Sequence, residues 1–293
     1  MSPSGRLAII GLGLIGGSLG MALRREGWEV AGYSRSSRTR ALALERGAID
    51  RDAPDLETAV SGAQIVVMAT PILAMESILG ELGHILPVGS VVTDAASTKD
   101  AVMTWARASL PPGVTFIGGH PMAGKETTGI EAAQDDLFWG CTYCLVPPSL
   151  PMTQEQEKAM ARLVSLVRSI RARPLVLEAS LHDKLVAGIS HLPLVAACAL
   201  VSATTRNALW AEMSPLAASG YRDTTRLASG STEMSRDICL TNRQALVSWL
   251  DSYIAELGRY RDLVRAGGEE IETAFVEARA SREAWLAQKR SAV

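Results

Sequence analysis

A glycine-rich turn near the start of the chain constrains the fold more than any other feature. Residues 11–16 read GLGLIG, directly after the apolar run LAIIG and directly before a segment with helical character. Glycines at this spacing allow a tight turn, a close approach of the backbone to a pyrophosphate, and close packing of a helix on a strand. A purely structural glycine turn is the alternative. We expect the dinucleotide contacts to come from Gly11, Gly13, Leu14, Ile15 and Gly16.

Short apolar runs alternate with helical segments through the first half of the chain. Several of these runs, such as IVVMAT, are continuously apolar, which is typical of strands covered by helices on both faces. Strands and helices that alternate this often predict an α/β fold with a Rossmann-type, doubly wound, mostly parallel sheet. The predicted strands are Leu7–Gly11, Glu29–Ser34, Ile65–Thr70, Ser90–Ala95, Thr115–Gly119, Cys141–Val146 and Pro174–Glu178.

The second half of the sequence has a different pattern, because no convincing strand follows Ser180. The predicted helices there are Leu181–Ala211, Asn242–Arg265 and Glu269–Lys289. The polar segment Ser219–Arg226 is expected to be a break between helices. We therefore expect a dinucleotide-binding domain over residues 1–178 and an all-helical domain over residues 179–293.

Composition excludes several classes of protein. The 293 residues are 47% hydrophobic and carry 29 Lys and Arg against 31 Asp and Glu, so no basic field favours nucleic acid as a partner. The longest apolar run, Leu192–Val201, contains a proline and is shorter than the roughly 18 residues that suggest a membrane span. Four cysteines, with Cys141 and Cys144 on opposite faces of one strand, predict neither a disulfide scaffold nor a metal site. We expect a cytoplasmic protein.

The loop after the second strand bears on the choice of dinucleotide. An NAD-binding protein usually places an acidic residue here, against the ribose 2′-hydroxyl, and this chain has none. The loop instead carries Ser34, Arg35, Ser36 and Arg38. Arginine suits the doubly charged 2′-phosphate of NADP, so we favour NADP over NAD, with solvated loop arginines as the alternative. Thr70 and Pro71, at the end of another strand, are expected along the same cleft.

Of the four histidines, His120 has the position expected of a catalytic base. It follows Phe116–Gly119 at the carboxyl end of a predicted parallel strand, where open α/β sheets bind ligands. Its imidazole, with an ordinary pKa of about 6.5, suits proton removal from an alcohol that loses hydride at neutral pH. Ser97 holds the equivalent position after the preceding strand and is expected to bind substrate or nicotinamide. The alternatives are a core histidine and a serine that caps the next helix.

Other polar residues are weaker candidates. Lys99 is either a cation near the site or a solvated residue at a helix start. Arg222 and Arg226 either form surface ion pairs or bind the carboxylate of a substrate as an arginine fork. His182 and Asp183 open an otherwise apolar helix and His191 lies beside a proline in it, so all three are candidates for the lining of a cleft.

These motifs together resemble the prephenate and arogenate dehydrogenase family of tyrosine biosynthesis. The matching stretches are GLGLIGGS at 11–18, TDAASTK at 93–99, GGHPMAG at 118–124, HDKLVAGISHLP at 182–193 and GYRDTTRLA at 220–228. They occur in the family's order and span nearly the whole chain. HPMAG with ISHLP and YRDTTR is far more specific than the glycine turn, and the SRSSR stretch looks most like cyanobacterial-type, NADP-using arogenate dehydrogenases.

The resemblance implies an NAD(P)-dependent oxidative decarboxylation, of prephenate to 4-hydroxyphenylpyruvate or of arogenate to tyrosine. It makes His120 the catalytic histidine, Ser97 its partner and Arg226 the carboxylate-binding arginine. The expected substrate-binding residues are Arg226, His191, Arg222, Gly124 and Lys125, the last standing where several members have threonine. The resemblance also implies a small-molecule substrate and a homodimer formed through the helical domain.

Two other functions are compatible with a dinucleotide domain followed by helices. A 3-hydroxyacid dehydrogenase typically works with a lysine and an asparagine on the helical domain, where this chain offers Lys184. A non-catalytic NADP-binding sensor would have no use for His120, Ser97 and Arg226 in one cleft.

Overall fold

The computed structural model describes residues 5–291, which form two compact units, one extending to Arg243 and the other beginning at Gln244. The strands of the first unit are β1 (Gly5–Ile10), β2 (Trp28–Tyr33), β3 (Arg51–Ala53), β4 (Ile65–Met68), β5 (Val91–Asp94), β6 (Thr115–Pro121), β7 (Thr142–Val146) and β8 (Arg173–Val176). Its helices are α1 (Leu14–Arg25), α2 (Ser37–Glu45), α3 (Leu56–Val60), α4 (Ala74–Ile85), α5 (Asp100–Ser109), α6 (Gln154–Ser169), α7 (Ala179–Val186), α8 (Leu192–Thr205), α9 (Trp210–Met213), α10 (Ser219–Thr225) and α11 (Thr232–Thr241). Helices α12 (Arg243–Ala266) and α13 (Glu270–Ser291) follow.

The eight strands form one sheet in the order β3-β2-β1-β4-β5-β6-β7-β8. Every neighbouring pair is parallel except β6 and β7, which run antiparallel. The chain leaves β1 toward β2 and β3 and then returns to the other side of β1 with β4. This reversal leaves a crevice at the carboxyl ends of β1 and β4, which is where doubly wound sheets bind ligands.

Both faces of the sheet are buried, and β1 shows this directly. Leu7 and Ile9 join the apolar core under α1 and α6, whereas Ala8 and Ile10 join the core under α4 and α5. Because successive side chains of a strand point to opposite faces, a strand buried on both faces must be apolar throughout. The continuous apolar runs of the sequence have this origin, and the predicted mostly parallel α/β fold is confirmed.

The seven predicted strands are all present, with ends that differ by at most two residues. The eighth strand, β3, was not predicted, because its three residues include only one apolar side chain and the first two residues are exposed. Strand β6 continues to Pro121, so His120 lies inside the strand and pairs with Cys144 of β7 rather than following the strand end.

The long helix predicted over Leu181–Ala211 is divided. Helix α7 passes through a π-helical turn, Ala187–His191, into α8, which ends at Thr205. Pro193 has no N–H to donate to the preceding turn, and a local π turn is one way in which a continuous helix accommodates such a loss. The wider turn contains His191, so the irregularity lies at a candidate site residue.

The break expected at Ser219–Arg226 is wrong. These residues form α10 and the start of a 3₁₀ turn, Arg226–Ser229. Thr225 donates its hydroxyl to the carbonyl of Tyr221 at 2.7 Å, and the Tyr221 hydroxyl lies 2.7 Å from Thr204 Oγ1 of α8. Tertiary contacts of this kind override the weak helix propensity of a Gly- and Thr-rich segment.

In the second unit, α12 and α13 are joined by a turn at Gly267, which has a φ of 68°. The Tyr260 hydroxyl donates to the carbonyl of Ala274 at 3.3 Å, and its ring lies 5.6 Å from the Phe275 ring. The first unit continues past residue 178, because α7 to α11 belong to it. The domain division near residue 178 stays a prediction.

One stretch of the described residues, Ala179–Thr205, is long and apolar enough to cross a membrane when judged by length and composition alone. This stretch is longer than the apolar run Leu192–Val201 of the sequence, because the helix also includes polar residues on the amino-terminal side of that run. His182 and Asp183 of this stretch are buried and form hydrogen bonds with the sheet and with α5, as the polar groups of a core helix do. Leu185 and Ile189 remain exposed on it.

Candidate functional site

The glycine-rich turn connects β1 to α1 at the crevice. Gly11 has a φ of +100°, and a Cβ there would lie 2.5 Å from the carbonyl oxygen of Ala69. A Cβ on Gly16 would collide with the carbonyl oxygen of Gly11, whereas a Cβ on Gly13 would meet nothing within 4 Å. Gly11 and Gly16 are therefore required by the fold itself. The space beside Gly13, at the N-terminus of α1, fits a pyrophosphate that approaches the N–H groups of Leu14 and Ile15.

The end of β2 lies against this turn, because the Gly11 N–H donates to the carbonyl of Tyr33 at 2.9 Å. Arg35 and Arg38 are exposed and form no ion pair within the described residues. Arg40, by contrast, donates to the Ser34 carbonyl at 2.7 Å and pairs with Asp52. Of these three arginines, Arg35 and Arg38 are thus available to an anion, and both are residues predicted from the sequence to contact NADP.

The serines of the same loop also have structural roles. Ser36 caps α2, accepting the Thr39 N–H at 3.2 Å, but its hydroxyl hydrogen remains free to donate. On the other side of the turn, after β4, Thr70 has a buried Oγ1 without a partner, while Pro71 is exposed. An unpaired hydroxyl beside the crevice fits a ligand that supplies the missing hydrogen bond.

His120 is the residue on which the candidate chemistry depends. Its side chain is largely buried, with 8% of the residue exposed, and Nδ1 lies 2.9 Å from Nε2 of His182. Its other nitrogen, Nε2, has no hydrogen-bond partner among the described residues. It is also not one of the described side-chain atoms that are both buried from solvent and without a partner. The ring therefore has one nitrogen fixed inside the protein and one in contact with solvent. Burial lowers the pKa of His120 well below 6.5, which keeps the ring neutral at neutral pH.

A buried ion pair fixes the backbone beside His120. Lys99 and Asp94 are both 0% exposed and form a salt bridge. The Lys99 ammonium also donates to the carbonyl of Gly119 at 2.6 Å, and Asp94 accepts the N–H of Gly119 at 2.8 Å. The pair therefore holds both main-chain groups of the residue before His120. Burial lowers the pKa of Lys99 while Asp94 opposes the shift, and a solvated Lys99 at a helix start is excluded.

Ser97 lies half-buried in the turn between β5 and α5. It does not cap α5, whose N-cap is Lys99 without a side-chain cap. The first N–H groups of that helix are instead bound by Asp183 of α7, which accepts from Lys99 N at 2.7 Å and from Asp100 N at 3.0 Å. The Ser97 hydroxyl is thus not needed for capping.

His191 is also buried, with 1% of the residue exposed. Its Nδ1 accepts from the Asn242 amide at 3.2 Å, and the same amide nitrogen lies 2.8 Å from the Asp183 carbonyl oxygen, to which it donates. The His191 Nε2 is sealed without a partner. Burial lowers the pKa of His191 to about 4, so this ring is neutral at physiological pH.

Comparison with known proteins identifies the family. The model of the prephenate dehydrogenase nucleotide-binding domain matches residues 19–176, and that of the prephenate dehydrogenase dimerization domain matches residues 178–278. The prephenate dehydrogenase of Bacillus subtilis is 34% identical over 273 residues, which cover 92% of this chain and 72% of that protein. The chain belongs to the prephenate dehydrogenase family.

Solved structures of the prephenate dehydrogenase family agree with this fold. The Synechocystis arogenate dehydrogenase has a TM-score of 0.80 and 32% identity, with 96% of this chain and 99% of that chain covered. The Aquifex aeolicus prephenate dehydrogenase, in complex with hydroxyphenyl propionate and NAD⁺, has a TM-score of 0.87 and 26% identity, with coverage of 95% and 97%. The chain is an NAD(P)-dependent prephenate/arogenate dehydrogenase, and both alternative functions are set aside.

Within this prephenate dehydrogenase family member, the structure brings Arg226 to the loop that follows His120. Arg226 forms a salt bridge with Glu126, six residues after His120 in the chain. Arg222 does not share this partner and pairs weakly with Asp223, at 3.4 Å, on the exposed surface. Gly124 and Lys125 are exposed in the loop, where Lys125 donates to Gln134.

Three residues of the site had no role assigned from the sequence. Asp94 and Asn242 act through the buried hydrogen bonds described above, and Asp237 of α11, 0% exposed, accepts the N–H of Leu73 at 3.1 Å. The last contact ties the helical segment to the loop after Thr70 and Pro71. A polar residue in an otherwise apolar run, as in VVTD for Asp94, was the available signal.

Proposed function

We propose that the chain is an NADP-preferring dehydrogenase that oxidatively decarboxylates prephenate or arogenate, with His120 as the proton acceptor. The observation that carries the proposal is the asymmetry of the His120 ring. Nδ1 is held by His182 inside the protein, and Nε2 keeps contact with solvent at the crevice edge of the sheet. A buried, neutral imidazole with one free lone pair is a proton acceptor at neutral pH.

In this reaction the ring carbon that bears the hydroxyl loses hydride, the ring carboxylate leaves as CO₂, and the ring becomes aromatic. The nicotinamide, when bound in the crevice, supplies the acceptor for that hydride. Nε2 of His120 takes the hydroxyl proton as the C–O bond gains double-bond character, and the Asp94–Lys99 pair keeps the ring in place. Because aromatisation drives the step, orientation and one base are the main requirements on the protein.

The remaining residues are proposed to orient the substrate. Ser97 donates its hydroxyl to the substrate or the nicotinamide, since α5 does not use it as a cap. Arg226 binds a substrate carboxylate in exchange for Glu126, with Arg222 one helical turn away. His191 presents a buried nitrogen that lacks a partner. Gly124 and Lys125 face the same loop region and are proposed to contact the substrate side chain.

NADP is preferred in this proposal because Arg35 and Arg38 are exposed and unpaired within the described chain, next to the hydroxyls of Ser34 and Ser36. A 2′-phosphate carries about two negative charges, and bidentate Arg–phosphate pairs are among the stronger polar contacts. NAD lacks the 2′-phosphate and gains nothing from these two guanidinium groups.

We also propose a cytoplasmic homodimer formed through residues 179–293. Helix α7 and the π turn expose Leu181, Leu185 and Ile189, the last at 73%. An apolar strip of this kind on a domain of a dimerising family is suited to a second copy of the chain.

The first test measures initial rates for prephenate and arogenate with NAD and NADP, in all four combinations, by absorbance of the reduced nicotinamide. NADP should give the higher kcat/KM with either substrate. His120→Asn should lower kcat by roughly 10²–10⁴-fold, the usual worth of a positioned base, with cofactor affinity unchanged. Wild-type turnover in this variant would remove His120 from the catalytic role.

The second test concerns Arg35 and Arg38. The double variant Arg35→Ala, Arg38→Ala should weaken NADP binding much more than NAD binding, measured as Kd by fluorescence titration. Arg24→Ala is the matched control, since that arginine pairs with Asp50 away from the crevice. Equal losses for both cofactors in the double variant would show that neither arginine contacts the 2′-phosphate.

A further inference from the structure

A chain of buried side chains continues inward from His120. Nδ1 of His120 lies 2.9 Å from Nε2 of His182, and Nδ1 of His182 lies 2.8 Å from Oδ1 of Asp183. His182 is 0% exposed and Asp183 is 3% exposed. The order of atoms is therefore imidazole, imidazole, carboxylate, with only the outer end open to solvent.

Two main-chain N–H groups bind the carboxylate end of the chain. Oδ1 of Asp183 accepts the N–H of Lys99 at 2.7 Å, and Oδ2 accepts the N–H of Asp100 at 3.0 Å. Both donors belong to the first turn of α5, where the helix dipole also favours a negative charge. Main-chain donors of this kind stabilise the ionised carboxylate. An ionised carboxylate can only accept, so the hydrogen between Asp183 and His182 must be on Nδ1 of His182.

This assignment fixes the next hydrogen as well. A neutral His182 with its hydrogen on Nδ1 has a lone pair on Nε2, so His120 must donate from its own Nδ1. The lone pair of His120 then lies on Nε2, the nitrogen that keeps contact with solvent. The opposite tautomer of His182 would point a lone pair at the Asp183 carboxylate.

We infer that His182 and Asp183 are positioning residues, which hold His120 in the one tautomer that can accept a proton from the substrate. The inference rests on the proposed role of His120 as that acceptor. When Nε2 of His120 takes the hydroxyl proton, the ring becomes an imidazolium, and its Nδ1–H bond to His182 strengthens. A buried aspartate orients the histidine of a Ser-His-Asp triad in the same way, by direct contact; here a second histidine lies between them.

The inference is tested with His182→Leu and His182→Gln in the full chain. Leucine removes the acceptor for the His120 Nδ1–H, so kcat should fall by roughly 10- to 100-fold, part of the worth of a positioned base. KM for both substrates should change little. Glutamine places an amide oxygen close to the position of Nε2 and should recover most of kcat. Equal kcat losses in the two variants, or wild-type kcat in His182→Leu, would overturn the inference.

Combination with His120→Asn separates this inference from the proposed function. If His182 acts through His120, adding His182→Leu to His120→Asn should cause no further loss of kcat, whereas additive losses would show an independent structural role and refute the inference. Wild-type turnover in His120→Asn alone would refute the proposed function instead. Loss of kcat in His120→Asn with full kcat in His182→Leu would refute only the positioning role.

Asp183→Ala provides the test if His182→Leu does not fold, as judged by its thermal unfolding. Oδ1 of Asp183 contacts both Nδ1 of His182 and the N–H of Lys99, so alanine removes the acceptor that fixes the tautomer of His182. A loss of kcat of at least about 10-fold is expected in the folded variant, part of the worth of a positioned base. Wild-type kcat in a folded Asp183→Ala would overturn the inference.

Discussion

Replacing Lys99 by methionine tests the physical basis of the site directly. Methionine is unbranched and similar in length, so it fills the same volume while removing the ammonium. Asp94 would keep two N–H donors, from Ala96 at 2.9 Å and Gly119 at 2.8 Å, but would lose the one cation that pairs with it among the described residues. Removing one partner of a buried ion pair costs about 3–5 kcal/mol, because the other charge stays buried without compensation. We expect this loss in the free energy of unfolding of Lys99→Met.

Lys158→Met is the matched control, because it makes the same chemical change in an exposed pair. Lys158 lies 2.8 Å from Glu155, and their side chains are 57% and 76% exposed. Exposed pairs contribute about 0–1 kcal/mol, since water and salt screen them. At roughly 2–4 °C per kcal/mol, Lys99→Met should lower Tm by about 6–20 °C and Lys158→Met by less than about 4 °C.

Urea unfolding followed by circular dichroism measures both variants beside the wild type. The protein concentration must be the same in all samples, because the stability of the proposed homodimer would depend on it. A difference of less than about 1 kcal/mol between the two lysine variants would refute the reasoning. It would mean that the main-chain donors alone satisfy Asp94. The Lys99→Met variant should also lose turnover at temperatures where it stays folded, because Gly119 loses one of its two anchors.

Three further predictions concern other parts of the molecule. Because burial lowers the pKa of His120 well below 6.5 and a base must be neutral, kcat/KM should stay level as the pH falls to 6.5; an acid limb with its midpoint at or above 6.5 would contradict this. Gly16→Ala should lower Tm through its collision with Gly11, whereas Gly13→Ala should leave Tm unchanged and weaken dinucleotide binding, measured by titration calorimetry. His191 has a folded pKa of about 4, below its unfolded value, so its contribution to stability is complete above about pH 6.5 and declines as the pH falls toward 4. Between pH 7 and 5 the wild type should lose about 2 kcal/mol more than His191→Gln, and equal losses in urea unfolding would show that His191 is not buried in its neutral form.

Much of the sheet was predictable, because burial on both faces leaves a direct trace in the sequence. A strand that is buried on both faces must be apolar at every position. β4 (Ile65–Met68) meets this requirement with the sequence IVVM. β3 lies outside this logic, since its residues are too few and too exposed to carry a pattern. The helix at Ser219–Thr225 was missed for a different reason: hydrogen bonds to α8 stabilise a segment that has weak helix propensity of its own.

The residues of the candidate site could be named from the sequence where a motif spans a few neighbouring positions. GLGLIG and GGHPMAG each place their chemistry within one turn or one strand end, so local order suffices. The partners of His120 could not be found in this way. His182 lies 62 residues away, and Asp183 lies 84 residues from Lys99. No periodicity relates positions that only the folded chain brings together.

The sequence by itself therefore determined the sheet and the glycine-rich turn, because these depend on local patterns of apolar and glycine residues, and it predicted His120 as the acid–base residue. Only the tertiary structure decided the state of that residue. Lys99 is a buried anchor rather than a solvated helix start, and Asp183 caps a helix of a distant segment while it orders two histidines. Burial and hydrogen-bond direction set the pKa and tautomer of His120, and both are properties of the surroundings rather than of the residue.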